Sequence, residues 1–212
     1  MTAIGTAELK KMFDAIAAAI EADKDRLCRL DGVIGDADHG IAMALGFGAV
    51  RDALAALDLS AIEPTALLNT AAKSFLNAVG ASSGPLYATA FMRGAAAVKG
   101  KATLAADDVI AMVQAMAQGI KDRGKAEIGE KTMIDAWQPA AEAAAATHAA
   151  GQSLAESLQA ALAAAGAGAE ATKDMIAAKG RSSRLGERSL GHIDPGAASA
   201  VTVIAAIQRS LG

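Results

Sequence analysis

Apolar residues recur every three to four positions along almost the whole chain, the spacing that gives an α-helix one buried face. Leu9, Met12, Phe13, Ile16 and Ile20 mark a first helix over about 6–27. Met43, Phe47, Val50, Leu54 and Leu57 mark a second, beginning near Gly40. Leu68, Ala72, Phe75, Leu76 and Val79 mark a third that stops at Gly80, and a fourth covers about 85–99 with Pro85 in its first turn, where no helical partner is needed. Val109, Met112, Val113, Met116 and Ile120 give the clearest stripe, in a fifth helix behind Asp107, and a sixth spans about 132–149. Ser153 and Glu156 have the capping-box spacing that opens a seventh. It is predicted to run to Lys179 and end at Gly180, weakened by Gly166 and Gly168; two short helices broken at those glycines are the alternative. Asp194-Pro195, an N-cap acid followed by proline at the first helical position, opens the last, which continues to about Arg209. The pattern predicts an all-α chain of eight helices without a strand, packed as one domain over 1–212.

Composition sharpens that picture. Hydrophobic residues make up 53% of the 212 positions but aromatics only 3%, because much of the apolar fraction is alanine, the best helix former and a poor strand former. Small side chains let helices approach closely, which suits a tight bundle or closed helical barrel. The formal charge is 20 − 23 = −3 with no basic run, which argues against nucleic acid and anionic membrane as partners. The uncharged stretch from Ser74 to Met92 is interrupted by Asn77, Gly80, Ser82, Ser83, Gly84 and Pro85, so it reads as a turn between helices and not a membrane span. Cys28 is the only cysteine, so no intrachain disulfide can form; with Glu8, Lys10 and Lys11 where a secretory signal would need an apolar stretch, a cytoplasmic protein is expected.

The unusual text lies between the helices. Asp31, Asp36 and Asp38 fall within eight residues, interleaved with Gly32, Gly35 and Gly40. A glycine-rich turn can bring three carboxylates together, and three such charges repel unless a cation sits among them. All-oxygen ligands suit a hard ion, magnesium before calcium or manganese, and the calcium helix-loop-helix spacing fails. The competing reading makes Asp36 and Asp38 ordinary N-terminal acids of the second helix. His39, beside such a loop at a helix start, is placed to hydrogen-bond a phosphate oxygen. Gly80-Ala-Ser-Ser-Gly84 and Asp194-Pro195-Gly196 each precede or open a helix, where backbone N–H groups receive anions. Arg181 belongs to a cationic stretch between Lys179 and Arg188 that by itself reads as a solvated connector. Gly124 to Thr132 imitates a P-loop, but Glu130 is inserted and no strand precedes it. A hard-metal cluster, two anion-binding helix starts and scattered cations together point to a metal–polyphosphate site.

At these segments the sequence resembles the nucleotide-binding L-subunit family of dihydroxyacetone kinases. The motifs that carry it are Asp31 with Gly-Asp-Ala-Asp-His-Gly40, Gly-Glu-Lys-Thr-Met-Ile-Asp135 and Gly-His-Ile-Asp-Pro-Gly196, in the family's order over essentially the whole chain. The resemblance implies an eight-helix antiparallel barrel with ADP or ATP across one end. It implies two magnesium ions on Asp31, Asp36 and Asp38, and nucleotide contacts from His39, Gly40, Ile41, Ala42, Ser82 and Ser83. Gly124 and Met133 would frame the base or ribose, with Arg181, Asp194, Pro195 and Gly196 completing the pocket. No residue acts as a covalent nucleophile. The partner implied is a K-type subunit dimer carrying the ketose, without which the chain is inactive. An M-type phosphotransferase-system subunit would recharge bound ADP; the alternatives are an ATP-exchanging subunit acting on another ketose or tetrulose, and a regulatory module that contacts a transcription regulator. Ala37 departs from the family's glycine, so that position either keeps negative φ or carries strain of order 1 kcal/mol.

Overall fold

The protein is described by a computed structural model over residues 3–80 and 83–212. Eight α-helices make up the described residues: α1 (Thr6–Ile34), α2 (His39–Ala55), α3 (Pro64–Ala78), α4 (Ser83–Ala97), α5 (Ala106–Gly124), α6 (Ile134–Ala149), α7 (Leu154–Ala171) and α8 (Pro195–Leu211). Each packs on the next, and α8 returns to α1, so the antiparallel ring closes into a barrel. The only β pairing among the described residues is a single bridge between Ile4 and Leu104.

The barrel is filled from the stripes read in the sequence, and Leu9, Phe13, Phe47, Phe75, Met112 and Val203 are fully buried or nearly so. The scarce aromatics are not scattered. All six meet in one cluster of edge-to-face contacts: Phe13 with Phe91 at 5.3 Å, Phe47 with Phe75 at 5.0 Å, and Tyr87 with Trp137 at 6.3 Å between centroids. Alanine packs the remaining interfaces, and α6 and α7 approach so closely that a Cβ on Gly168 would lie 1.8 Å from the Asp135 carbonyl oxygen. Gly168 is therefore a contact residue, and α7 runs straight through both glycines that the sequence suggested would weaken it.

Three element boundaries differ from expectation. α1 continues seven residues beyond 27, so Asp31 stands on its last turn and not in a loop. α4 starts at Ser83, two residues before Pro85. α7 stops at Ala171, eight residues short of Lys179, and gives way to 3-10 turns at Thr172–Asp174 and Arg181–Ser189. The Thr172 hydroxyl donates to the Ala169 carbonyl and accepts the Asp194 N–H, while the Thr172 carbonyl accepts from Lys131 Nζ. Those partners turn the chain out of the helix. No helix among the described residues is long and apolar enough to cross a membrane.

Candidate functional site

In an antiparallel ring every even helix starts, and every odd helix ends, at the same end. The four segments singled out in the sequence are the connections at that end, and they surround a cavity of about 510 Å³. Four helix N-termini, the positive ends of their dipoles, converge there.

Asp31 organises the first wall. Its Oδ2 accepts the N–H of Asp38 at 2.9 Å and of His39 at 3.1 Å, capping α2 from the preceding helix. Asp38 occupies the N-cap position yet makes no side-chain capping bond, so the reading of Asp36 and Asp38 as ordinary capping acids fails. Gly35 makes room for this arrangement, since a Cβ there would sit 2.1 Å from Asp31 Oδ1. Ala37 adopts φ 62°, the left-handed conformation that glycine takes freely, and the chain reverses there. The result is that carboxylate oxygens of Asp31, Asp36 and Asp38 all lie within 4.8 Å of one another. Asp31 is buried and the other two are exposed. Partial desolvation, and then the charge of Asp36, hold the Asp38 carboxyl above its ordinary range, with Arg181 acting the other way. A crowded set of oxygen donors that raises a member's proton affinity is what a divalent hard cation relieves, so these residues fit magnesium.

Arg181 is not a free connector residue. Its guanidinium contacts Asp36 and lies 3.6 Å from Asp38. His39 is half-buried at the start of α2, its Nε2 2.9 Å from Ser199 Oγ on α8. Burial pushes its imidazole below the ordinary value, and Asp31 partly opposes that. The N–H groups of Gly40 and Ile41, in the same turn, find no acceptor among the described residues.

The cavity brings together Asp31, Asp36, Asp38, His39, Ser83, Gly124, Met133, Arg181, Asp194, Pro195 and Gly196. Ile41 and Ala42 line an adjoining groove that shares Asp38, His39, Ser83 and Arg181 with it. Gly40 lines neither; it packs against α1, where a Cβ would meet the Lys24 carbonyl oxygen at 2.1 Å. Ser82 lies outside the described residues. Leu86, Ile120, Ala126 and Ile134 supply an apolar wall opposite the carboxylates.

Sequence reasoning missed three residues that shape this end. Lys131 is buried with φ 59°, and its ammonium donates to the Thr172 and His192 carbonyls, pinning the long connection that carries Arg181. Burial lowers its pKa, opposed by Asp194, Asp135 and Asp174. Asp135 is buried too, and its carboxylate accepts the Gly129 and Thr132 N–H groups at 2.6 and 2.7 Å, shaping the turn before α6. Both sit in the Gly-Glu-Lys-Thr-Met-Ile-Asp motif, whose lettering was the available signal. Ser199, the third, carries no such signal. Asp194 accepts the Ala197 N–H as predicted for an N-cap; burial pushes its carboxyl up to about 7, with Asp135 adding to the rise and Lys131 opposing it.

The DAK2 domain family matches residues 33–209. The ADP-binding subunit DhaL of a PEP-dependent dihydroxyacetone kinase from Listeria innocua is 39% identical over 194 residues, covering 92% of this chain and 89% of the relative. The corresponding Escherichia coli subunit is 40% identical over 180 residues, with 84% and 83% covered. A crystal structure of the dihydroxyacetone kinase from C. freundii, in complex with AMP-PNP and Mg2+, matches 99% of this chain at a TM-score of 0.75 and 26% identity; this chain spans 35% of its length. The family match runs from the last turn of α1 to within a few residues of the end of α8 and takes in every residue lining the cavity except Asp31, and the chain belongs to the DAK2 domain family.

Proposed function

We propose that this chain is the nucleotide-binding subunit of a split small-ketose kinase, acting as one domain in the cytoplasm. It holds a magnesium–adenine nucleotide across the open end of the barrel and presents the terminal phosphoryl group to dihydroxyacetone carried by a separate K-type subunit. The observation that carries the reading is the convergence of three carboxylates, Arg181 and several helix N-termini on one cavity with an apolar far wall. The relatives' names, ADP-binding subunit and kinase with AMP-PNP and Mg2+, support it.

In this reading Asp31, Asp36 and Asp38 hold two magnesium ions, which when bound neutralise the phosphates and keep them in line. His39, Ser83, Ile41, Ala42 and the Gly40 N–H face the phosphates, where unpaired N–H groups bind anions without reorganising, and Ser82, which lies outside the described residues, is assigned with them from the sequence alone. Gly124 and Met133 frame the base or ribose against the apolar wall. Asp194, Pro195 and Gly196 close the pocket beside Arg181, whose charge follows the transferred group. The acceptor hydroxyl oxygen bonds to phosphorus as the bond to the nucleotide's bridging oxygen breaks and the hydroxyl proton passes to solvent, so no side chain of this chain forms a covalent intermediate. Positioning and charge neutralisation do most of the work in such a transfer.

The phosphoenolpyruvate-dependent names of the relatives favour ADP as a bound coenzyme recharged by an M-type phosphotransferase-system subunit. A second reading, ATP exchange and a tetrulose acceptor, is favoured by a D-erythrulose kinase from Mycolicibacterium smegmatis, 34% identical over 202 residues, of which this chain covers 34%. Extensive desalting of the purified chain separates the two: retained ADP supports the coenzyme route, and its loss supports exchange. Calorimetry with Mg–ADP tests the site itself. Asp36→Asn is expected to bind at least about 10-fold more weakly than wild type, the usual scale for losing a charged contact. Equal binding by the variant, or none by wild type, overturns the proposal, and ketose phosphorylation by the chain alone overturns the need for a K-type partner.

A further inference from the structure

The bond between His39 and Ser199 spans 160 residues of sequence and joins the first residue of α2 to the second turn of α8, two helices that otherwise scarcely touch. Ser199 is fully buried. Its hydroxyl donates to the Gly196 carbonyl at 2.9 Å, and a carbonyl oxygen can only accept. Oγ thus stands between two partners, the Gly196 carbonyl and His39 Nε2, each at 2.9 Å. A serine serving only its own helix would be satisfied by the bond to the carbonyl three residues back. Here the same oxygen also fixes a ring that lines the cavity.

We infer that Ser199 is a positioning residue for the nucleotide site, holding the His39 ring through Nε2 and tying the α2 helix start to Gly196 at the α8 helix start. No other hydrogen bond among the described residues joins α2 to α8 directly. Nδ1 is left as the ring nitrogen without a protein partner among the described residues, and His39 is presented in one orientation instead of several. The inference rests on the reading that a nucleotide occupies this cavity, but the state of the ring does not need one.

Two measurements test it. The chain has three histidines, so 15N-histidine NMR at about pH 8, above the ordinary imidazole range, reads the ring of His39 directly. Wild type is expected to show a single ring tautomer without any ligand, and Ser199→Ala to show the mixture of tautomers of an unanchored ring. In Mg–ADP calorimetry Ser199→Ala is expected to lose about 10-fold in affinity, the cost of one lost hydrogen bond at a charged ligand. The same change should have no further effect in a His39→Ala background, as expected when two residues act as a unit. An unchanged tautomer in Ser199→Ala, or losses that simply multiply in the double variant, overturns the inference. Failure of wild type to bind Mg–ADP would sink the nucleotide reading and leave the NMR result standing on its own.

Discussion

A single carboxylate, Asp31, sets up both features of the acidic wall. It caps α2 through Oδ2 and stands within reach of Asp36 and Asp38, so helix capping and the crowding of the acidic side chains are one structural fact. The turn between them passes through Ala37 at φ 62°, where an L side chain clashes with its own backbone. The strain expected of alanine at this position is present. Ala37→Gly should therefore stabilise the fold by about 1 kcal/mol, a rise of roughly 2–4 °C in Tm for a chain of this size. Thermal unfolding followed by circular dichroism measures it, and Mg–ADP affinity should stay unchanged because both flanking aspartates remain.

At the scale of elements, the long connection between α7 and α8 is held by buried polar groups and not by its own propensity. Lys131 reaches two of its carbonyls, Thr172 binds at both of its ends, and Asp194 caps the helix that follows. Asp194 carries a pH signature. Its carboxyl holds a proton up to about pH 7 in the fold but only to about the ordinary aspartate value of 3.8 in the unfolded chain. Between those values the native state binds the extra proton, so this group makes stability fall as pH rises and then level off above 7. Asp194→Asn keeps an oxygen to cap Ala197 and removes the titration. Chemical denaturation across pH 4 to 8 should show a flatter decline for the variant than for wild type.

Across the whole molecule, the antiparallel ring is what makes a site from segments distant in sequence. Residues near 31–39, 83, 124–134 and 180–196 meet only because alternate helices begin at the same end. A ligand gripped by several such elements stabilises all of them together. Saturating Mg–ADP at about 100 times its Kd should add roughly 2.7 kcal/mol to the unfolding free energy. A thermal shift of several degrees is expected with Mg–ADP, and little with ADP in the presence of a chelator. Equal shifts in both would mean that the three aspartates hold no cation.

The eight helices were legible because each stripe repeats at the helical period and most ends carry their own local signals, such as Ser153 with Glu156 and Asp194 with Pro195. The acidic cluster and the helix starts that meet it were legible for the same reason, since their residues are neighbours along the chain. What the sequence could not determine depends on partners far away in it. α1 runs on to Ile34 and α7 stops at Ala171 because of contacts with α2, Lys131 and Asp194. The pairing of Arg181 with Asp36, and of Ser199 with His39, likewise joins residues about 145 and 160 positions apart. Periodicity and capping act over a few residues and are written locally, whereas a buried hydrogen bond between distant residues exists only once the barrel has closed.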